Sequence, residues 1–348
     1  MIIMETTAAV LTQINKPLHI EKLTVPALKP GQVLVNIAYS GICHSQLNEI
    51  HGLKGEDKFL PHTLGHEGSG IVEAVGEGVT KVKPYDRVIL TWIKGAGLDA
   101  ASTAYKTIDA KLVNSGAIST FLTKAVISEN RLVKIPDALA LDQAALLGCA
   151  IPTGAGIVIN TAQVTRGSSV VIFGMGGIGL SALVASVLNA ASVIIAVDIS
   201  DERLQLARSL GATHSINAQK EDVLTGVKSV LTQGADFAFE CAGKKGSMES
   251  AFRSVRDKGG LCVIAGNLSQ GQTIQLDPFD FIRGKRLIGT WGGETQPDRD
   301  IPRYAHAILS GKLNVKQLIC RIYELQDINE ALAFMEHTAT GRVLVKLS

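Results

Sequence analysis

The sequence predicts an α/β protein, with a doubly wound parallel sheet in the middle of the chain and a mainly β domain before it. Three observations carry that prediction. At 348 residues the chain exceeds what one ordinary hydrophobic core organises, so two domains are expected. Residues 1–150 break into short β-like runs punctuated by Gly and Pro, the texture of an irregular, mostly antiparallel domain. From 151 onward strand-like and helix-like segments alternate, which calls for a parallel sheet covered on both faces.

The first domain reads as strands at "PLHIEKL", "GQVLVNIAYSGIC", "GSGIVEAVG" and "DRVIL", with turns at "LKPGQ", "VGEGV" and "VKPYD". The second, 151–290, begins with strand "SSVVIFG", helix "GIGLSALVASVLNA", strand "ASVIIAVD" and helix "SDERLQLARSLGA". Strand "ADFAFECAG", a helix near 246–256 and strand "GLCVIAG" continue it. Past 290 the alternation fades into a loop at "TWGGETQPDRD"; a helix at "IPRYAHAILSGKL" and a strand at "GRVLVKLS" close the segment 291–348.

Bulk properties remove several function classes. Net charge is +2 with signs interspersed, so no basic stripe marks a nucleic-acid partner. No apolar run reaches the roughly 18 uncharged residues of a membrane helix, so no membrane partner is expected. The opening "MIIMETTAAVLTQI" lacks a basic n-region and a cleavage site, and no leader is expected from it. Five cysteines, scattered and odd in number, make a poor disulfide framework and point to a reducing, cytoplasmic setting.

The segment "VVIFGMGGIGLSALVA" carries the first specific chemistry. A strand runs into Gly174-Met175-Gly176-Gly177-Ile178-Gly179 and then a helix. Gly174 permits the tight turn, Gly176 lets backbone approach a pyrophosphate, and Gly179 lets helix and strand pack closely. The helix N-terminus offers N–H groups to the phosphates. About twenty residues on, the next strand ends in Asp198, placed to accept hydrogen bonds from an adenosine ribose and to repel a 2′-phosphate. That selects NAD over NADP in a Rossmann domain. Arg203 reaches the ribose or stands as a solvated helix charge.

A metal site is the second candidate. Cys43 lies in "SGICHSQ", His66 in "TLGHEGSGIV" and Cys149 in "ALLGCAIPTGAGIV". Taken singly, each has an ordinary reading, a small buried hydrophobe or a turn residue. Together, two thiolates and an imidazole bind Zn²⁺ with the fourth position open, the arrangement of a catalytic zinc. Their spacing alone does not decide between these readings.

The motifs "GICHS", "LGHEGSGIVEAVGEGV", "LGCAIPTGAG", "VVIFGMGGIGL", "VDIS" and "GRVLVKL" occur in order along the whole chain. In this the sequence resembles the zinc-dependent alcohol dehydrogenases of the medium-chain dehydrogenase/reductase family. The resemblance implies a GroES-like, mainly β catalytic domain, resumed by the C-terminal segment, around the Rossmann coenzyme domain. It implies one catalytic Zn²⁺ per chain held by Cys43, His66 and Cys149, with Glu67 the acid just behind the metal and counted with that set. Arg342 matches the arginine partner of that acid and is also grouped with the cofactor-binding residues. Ser45 matches the hydroxyl that takes the alcohol proton, and His44 the cationic residue facing the pyrophosphate. Cys149 at the third ligand position resembles the alcohol branch more than the polyol branch. Homodimers or homotetramers are implied, with the edge supplied by "QTIQLDPFDFIRGKRLIGTW".

Three departures stand out. The region "WIKGAGLDAASTAYKTIDAKLVNSGAIS" holds no cysteine, where many relatives bind a structural zinc, so none is expected there and the lobe is expected to be a loop of altered shape. Gln46 stands where an aspartate usually orients the ligand histidine; a neutral amide accepts that bond without adding charge. Asn48 stands where a relay histidine often sits. If 45–51 is a helix with Ser45 as N-cap and Gly52 as its stop, His51 shares the face of Asn48 and either takes over the relay through water or sits exposed.

The expected activity is NAD-dependent oxidation of an alcohol, or reduction of its aldehyde or ketone, with Zn²⁺ as Lewis acid. Trp92, Ser115, Gly116 and Thr290 match pocket-lining positions and imply a primary alcohol with a bulkier or partly polar tail. A sugar or polyol dehydrogenase, a zinc-free reductase of the same fold, and a catalytically silent NAD- and zinc-binding protein are the competing readings.

Overall fold

The computed structural model describes residues 4–348; residues 1–3, part of the opening stretch considered above for a leader, lie outside the described residues. The chain divides into two compact units. One comprises Met1–Cys149, Gln296–Gly311 and Val315–Ser348, the other Ala150–Thr295 and Lys312–Asn314.

In the first unit, strands Glu5–Leu11, His19–Thr24, Thr103–Thr107, Leu112–Gly116 and His62–Thr63 close into a barrel in that order. A sheet is built beside it on the long strand Gln32–Ile42, almost wholly buried. One edge of that strand meets Glu67–Val75. The other edge is shared by Lys124–Ser128 along its first half and Arg342–Lys346 along its second. Two neighbours in succession on one edge keep the backbone of so long a strand paired along its length. The region 92–119 differs from the expected loop. Thr103–Thr107 and Leu112–Gly116 pair antiparallel as barrel strands, because Ala104 to Val113 alternate well enough to bury Tyr105 and Val113.

The second unit holds six parallel strands in the order His214–Asn217, Val193–Asp198, Ser169–Phe173, Phe237–Glu240, Leu261–Ile264 and Arg286–Gly289. The central "SVVIF" is buried throughout, as a strand covered by helices on both faces requires. Helix starts carry side-chain caps: Ser200 accepts from the N–H of Arg203 (3.3 Å) and Asp222 from that of Thr225 (2.8 Å). This unit runs to Thr295, because Thr295 Oγ1 donates to the Pro152 carbonyl (2.8 Å) and ties the loop after residue 290 to helix Ala150–Gly156. No single helix among the described residues is long and apolar enough to cross a membrane.

Two glycines in the first unit permit a close approach that decides the site. A Cβ at Gly41 would collide with the Glu67 side chain, and one at Gly148 would lie 2.7 Å from Glu67 Cβ and 2.8 Å from its Cα. Both chain segments therefore pass within backbone distance of Glu67, which is fully buried. Gly148→Ala is expected to cost about 1–3 kcal/mol in urea unfolding, the usual penalty for overpacking; an unchanged midpoint would contradict the close approach.

Candidate active site

Each candidate ligand is delivered by the end of a different element of the first unit. Cys43 follows the strand Gln32–Ile42, His66 precedes Glu67–Val75, and Cys149 follows the turn Leu146–Gly148. Their ligand atoms all lie within 4.8 Å of one another, with both cysteines buried and His66 half-buried. His66 Nε2 is 3.3 Å from Cys149 Sγ. The hydrogen bond with Cys149 is the strongest influence on the Cys43 thiol and holds its pKa well below the ordinary value; burial opposes this, while His66 and Arg342 reinforce it. Two thiols and one imidazole, converging at this separation, fit Zn²⁺ with three protein ligands and one position left open.

Glu67 stands outside that set of donor atoms. Its carboxylate pairs with the Arg342 guanidinium, and the two side chains are 0% and 3% exposed. This corrects the grouping of Arg342 with the cofactor-binding residues: its charge is buried in the first unit against Glu67. The last strand, Arg342–Lys346, is in register with the end of Gln32–Ile42, Val343 opposite Ile42, so the arginine arrives beside Cys43.

The helix after Cys43 spans His44–Ile50, and its N-cap is Cys43 rather than the expected Ser45. Gln46, at the third helical position, closes the turn by accepting the Cys43 backbone N–H on Oε1 (2.9 Å). That orientation turns its NH₂ group toward His66 Nδ1 and toward Ser45 Oγ (3.4 Å). Ser45 Oγ is itself 3.4 Å from His66 Nδ1. The amide therefore donates toward the imidazole, the reverse of the expected bond. With Nδ1 as acceptor, the ring proton sits on Nε2, the nitrogen that faces Cys149.

His51 is not brought to this group, which corrects its placement in the relay. It forms the C-cap of the helix, with Nδ1 3.3 Å from Asn15 Oδ1 and Nε2 3.3 Å from Glu336 Oε1. The ring is spent on surface contacts. His44 begins the helix and is exposed.

In the second unit the glycine turn has the geometry its sequence implies. Gly174 adopts φ +88°, and a Cβ at Gly179 would strike the Gly174 carbonyl. At Gly176 nothing lies within 4 Å of where a Cβ would stand, so backbone there faces open space. Helix Gly177–Leu188, which includes Ile178, starts at Gly176 without a side-chain cap. This open, donor-rich turn fits a pyrophosphate. Asp198 ends the adjacent strand; Oδ2 accepts from Met175 N–H (2.6 Å), and Oδ1 from Ile199 (2.8 Å) and Ser200 (3.0 Å). These bonds use three of a carboxylate's roughly four acceptor sites, leaving capacity for a ribose hydroxyl. Arg203 Nη1 stands 3.9 Å from Asp198, so it leans on the acid rather than into solvent.

The pocket candidates separate. Ser115 and Gly116 line a cavity of about 420 Å³ together with Gln46, His66 and Glu49. Trp92 does not line it, and its carbonyl accepts from Arg131. Thr290 belongs to the second unit, 2.9 Å from the Thr161 hydroxyl. Glu49, Asn114 and His62 also line the cavity and were not singled out from the sequence. Glu49 alone left a signal there, one helical turn after Gln46 on the same face. His62 is bonded to Asp57 (2.7 Å). Burial pushes the Asp57 carboxyl up, but the Phe59 N–H and His62 outweigh it and hold it below its usual range.

Comparison with known proteins agrees in both units. Residues 29–137 match the alcohol dehydrogenase GroES-like domain, and 177–310 the zinc-binding dehydrogenase domain. The chain is 34% identical to S-(hydroxymethyl)glutathione dehydrogenase of Photobacterium damsela subsp. piscicida, covering 98% of this chain and 100% of the relative. It is 32% identical to alcohol dehydrogenase class-3 of Myxine glutinosa, over 98% and 97% of the two chains. Benzyl alcohol dehydrogenase from Acinetobacter calcoaceticus superposes with a TM-score of 0.90 at 31% identity, over 99% of this chain and 100% of the other. The chain belongs to the zinc-dependent alcohol dehydrogenases of the medium-chain dehydrogenase/reductase family.

Proposed function

We propose that this zinc-dependent, NAD-linked oxidoreductase of alcohols uses Cys43, His66 and Cys149 as its metal ligands and Ser45 as the group that takes the alcohol proton. The observation that carries the reading is the convergence of three ligand atoms within 4.8 Å from three separate elements. When bound, zinc supplies a Lewis acid that acidifies an alcohol hydroxyl, and NAD supplies the hydride acceptor. The chain's own residues do the rest. Glu67 and Arg342 hold the segments that carry the ligands, and Ser45 Oγ, at the edge of the His66 ring, accepts the proton and passes it outward. Gly174, Gly176, Gly177, Ile178 and Gly179 cradle the pyrophosphate, and Asp198 holds the adenosine ribose.

One zinc per chain is proposed and no structural zinc, since residues 92–119 offer no thiol. A homo-oligomer through the edge strand Arg286–Gly289 is proposed, supported by the exposed Phe279 and Ile282 next to it. A cytoplasmic setting is supported by five cysteines, none of them in a disulfide. The glutathione adduct named for one relative is not carried over. Its carboxylates require cations, and beside this cavity His62 is committed to Asp57 and Lys54 to Glu49.

Three outcomes follow. Elemental analysis should find one zinc per chain in the wild type and well under half of that in Cys149→Ser, with turnover of every alcohol lost; full zinc retention would remove Cys149 from the ligand set. Gln46→Glu keeps the side-chain length but offers two acceptor oxygens, one for Cys43 N–H and one for a protonated His66 Nδ1. Chelator competition should show about 10–100-fold tighter zinc binding, and equal affinity would refute the amide orientation described above. Asp198→Asn should narrow the NAD over NADP preference in kcat/KM by about 100-fold, since a like-charge contact is worth several kcal/mol; an unchanged ratio would assign cofactor choice elsewhere.

A further inference from the structure

The cavity of about 420 Å³ lies within the first unit and reaches from His66 and Gln46 at its inner end to Phe59 and Glu49 near solvent. Its size falls in the range of small-ligand pockets, ~300–1,000 Å³. Strand register assembles it. His62 pairs with Asn114 and Thr103 with Gly116 where the barrel closes, so the ends of three barrel strands face the helix that carries Gln46 and Glu49.

Most residues lining it are polar, and two of them, Asn114 and Glu49, keep a side-chain oxygen beyond the hydrogen bonds they make. Thr63 Oγ1 lies 3.0 Å from Ser115 Oγ and 2.8 Å from Ser119 Oγ, so its single hydroxyl proton is committed within this cluster. Asn114 donates one N–H to the Phe59 carbonyl (2.7 Å), which leaves its amide oxygen and its second N–H. Lys54 engages Glu49 Oε2 (3.0 Å), which leaves Oε1. His62 is committed at both ring nitrogens, to Asp57 (2.7 Å) and to the Thr63 carbonyl (3.1 Å). No uncommitted cation lines the cavity among the described residues, and the Glu49 charge is already balanced by Lys54. Acceptors without a spare charge complement a row of neutral hydroxyl donors. Phe59, 69% exposed, offers an aromatic face at the rim for the C–H side of such a chain.

We propose that this cavity receives the tail of the substrate and selects an uncharged, hydroxylated carbon chain, a polyol or sugar-like alcohol, with Glu49 as the residue that decides it. The inference rests on the alcohol-oxidising reading above and names the substrate class for the same site. An alkyl tail would cover Glu49 and Asn114 and leave their oxygens unpaired. Sites built to hydrogen-bond a substrate hydroxyl reject analogues that lack it far more strongly than apolar pockets reject a misfit.

The test uses zinc-loaded full-length enzyme with NAD and two length-matched series: 1-butanol against 1,2,4-butanetriol, and 1-hexanol against D-glucitol. In the wild type kcat/KM should be at least about 10-fold higher for the hydroxylated member of each pair, the worth of one hydrogen bond to a charged group. Glu49→Gln should reduce that ratio several-fold and Glu49→Leu should abolish or reverse it, with melting temperature verifying the fold. Phe59→Ala, at an exposed position, should raise KM for D-glucitol more than for 1-hexanol. Turnover of both series without preference, or a ratio that ignores Glu49, overturns the inference and leaves the alcohol dehydrogenase reading standing. No turnover of either series by zinc-loaded enzyme overturns that reading, and this inference with it.

Discussion

The buried pair Glu67–Arg342 is the contact on which the candidate metal centre depends. Both side chains are almost fully removed from solvent, and each charge is offset by the other. The pair ties the start of Glu67–Val75 to the start of Arg342–Lys346, and the latter lies against the end of Gln32–Ile42. His66 and Cys43 stand at the ends of two of those strands. Gly148 lets the third segment come within backbone distance of Glu67, which sets Cys149 in place. A buried ion pair is weak evidence of stability, because well-packed apolar residues often do as well. Here its geometry explains its presence: the candidate ligands His66 and Cys43 are held in register by one charge contact, and Cys149 by the close approach at Gly148.

Much of this was legible in the sequence, for separable reasons. Four of the six parallel strands followed from local alternation, whereas the short His214–Asn217 did not, and the glycine turn followed from a motif whose spacing has a mechanical meaning. The ligand set was different. Cys43, His66 and Cys149 have no compact spacing, so only their resemblance to a family marked them; the convergence is a product of tertiary register. Glu49, Asn114 and the His62–Asp57 pair were missed for the same reason, since they meet only when Leu112–Gly116 pairs with His62–Thr63. Two local readings failed against competing contacts. Ser45 is the better cap by type, but Gln46 closes the turn one place around Cys43, and His51 shares the face of Asn48 yet bonds to Asn15 and Glu336.

Gln46 serves two masters, and the conflict is one of hydrogen-bond parity. An amide has one acceptor side and one donor side. The Cys43 N–H takes the acceptor, because an unpaired buried N–H is costly. The donor is then all that remains for His66 Nδ1. A carboxylate in the same place would accept from both, so the substitution trades ligand orientation for electrical neutrality near two thiols. With Nδ1 as acceptor the imidazole keeps its proton on Nε2, beside Cys149, until a metal competes for that nitrogen.

Neutrality recurs on the far side of His66. The cavity wall carries Glu49 and the His62–Asp57 pair, yet each charge there has a partner within 3.0 Å. A wall built this way attracts no ion strongly and still presents directional acceptors, which is how a site discriminates among neutral molecules. Apolar complementarity would discriminate less, since a methylene gained or lost is worth only about 1–3 kcal/mol, whereas an acceptor buried without its donor loses its hydration outright. The small residues at 115 and 116 make the difference of shape: they leave the space, and the polar groups around it decide what fills it.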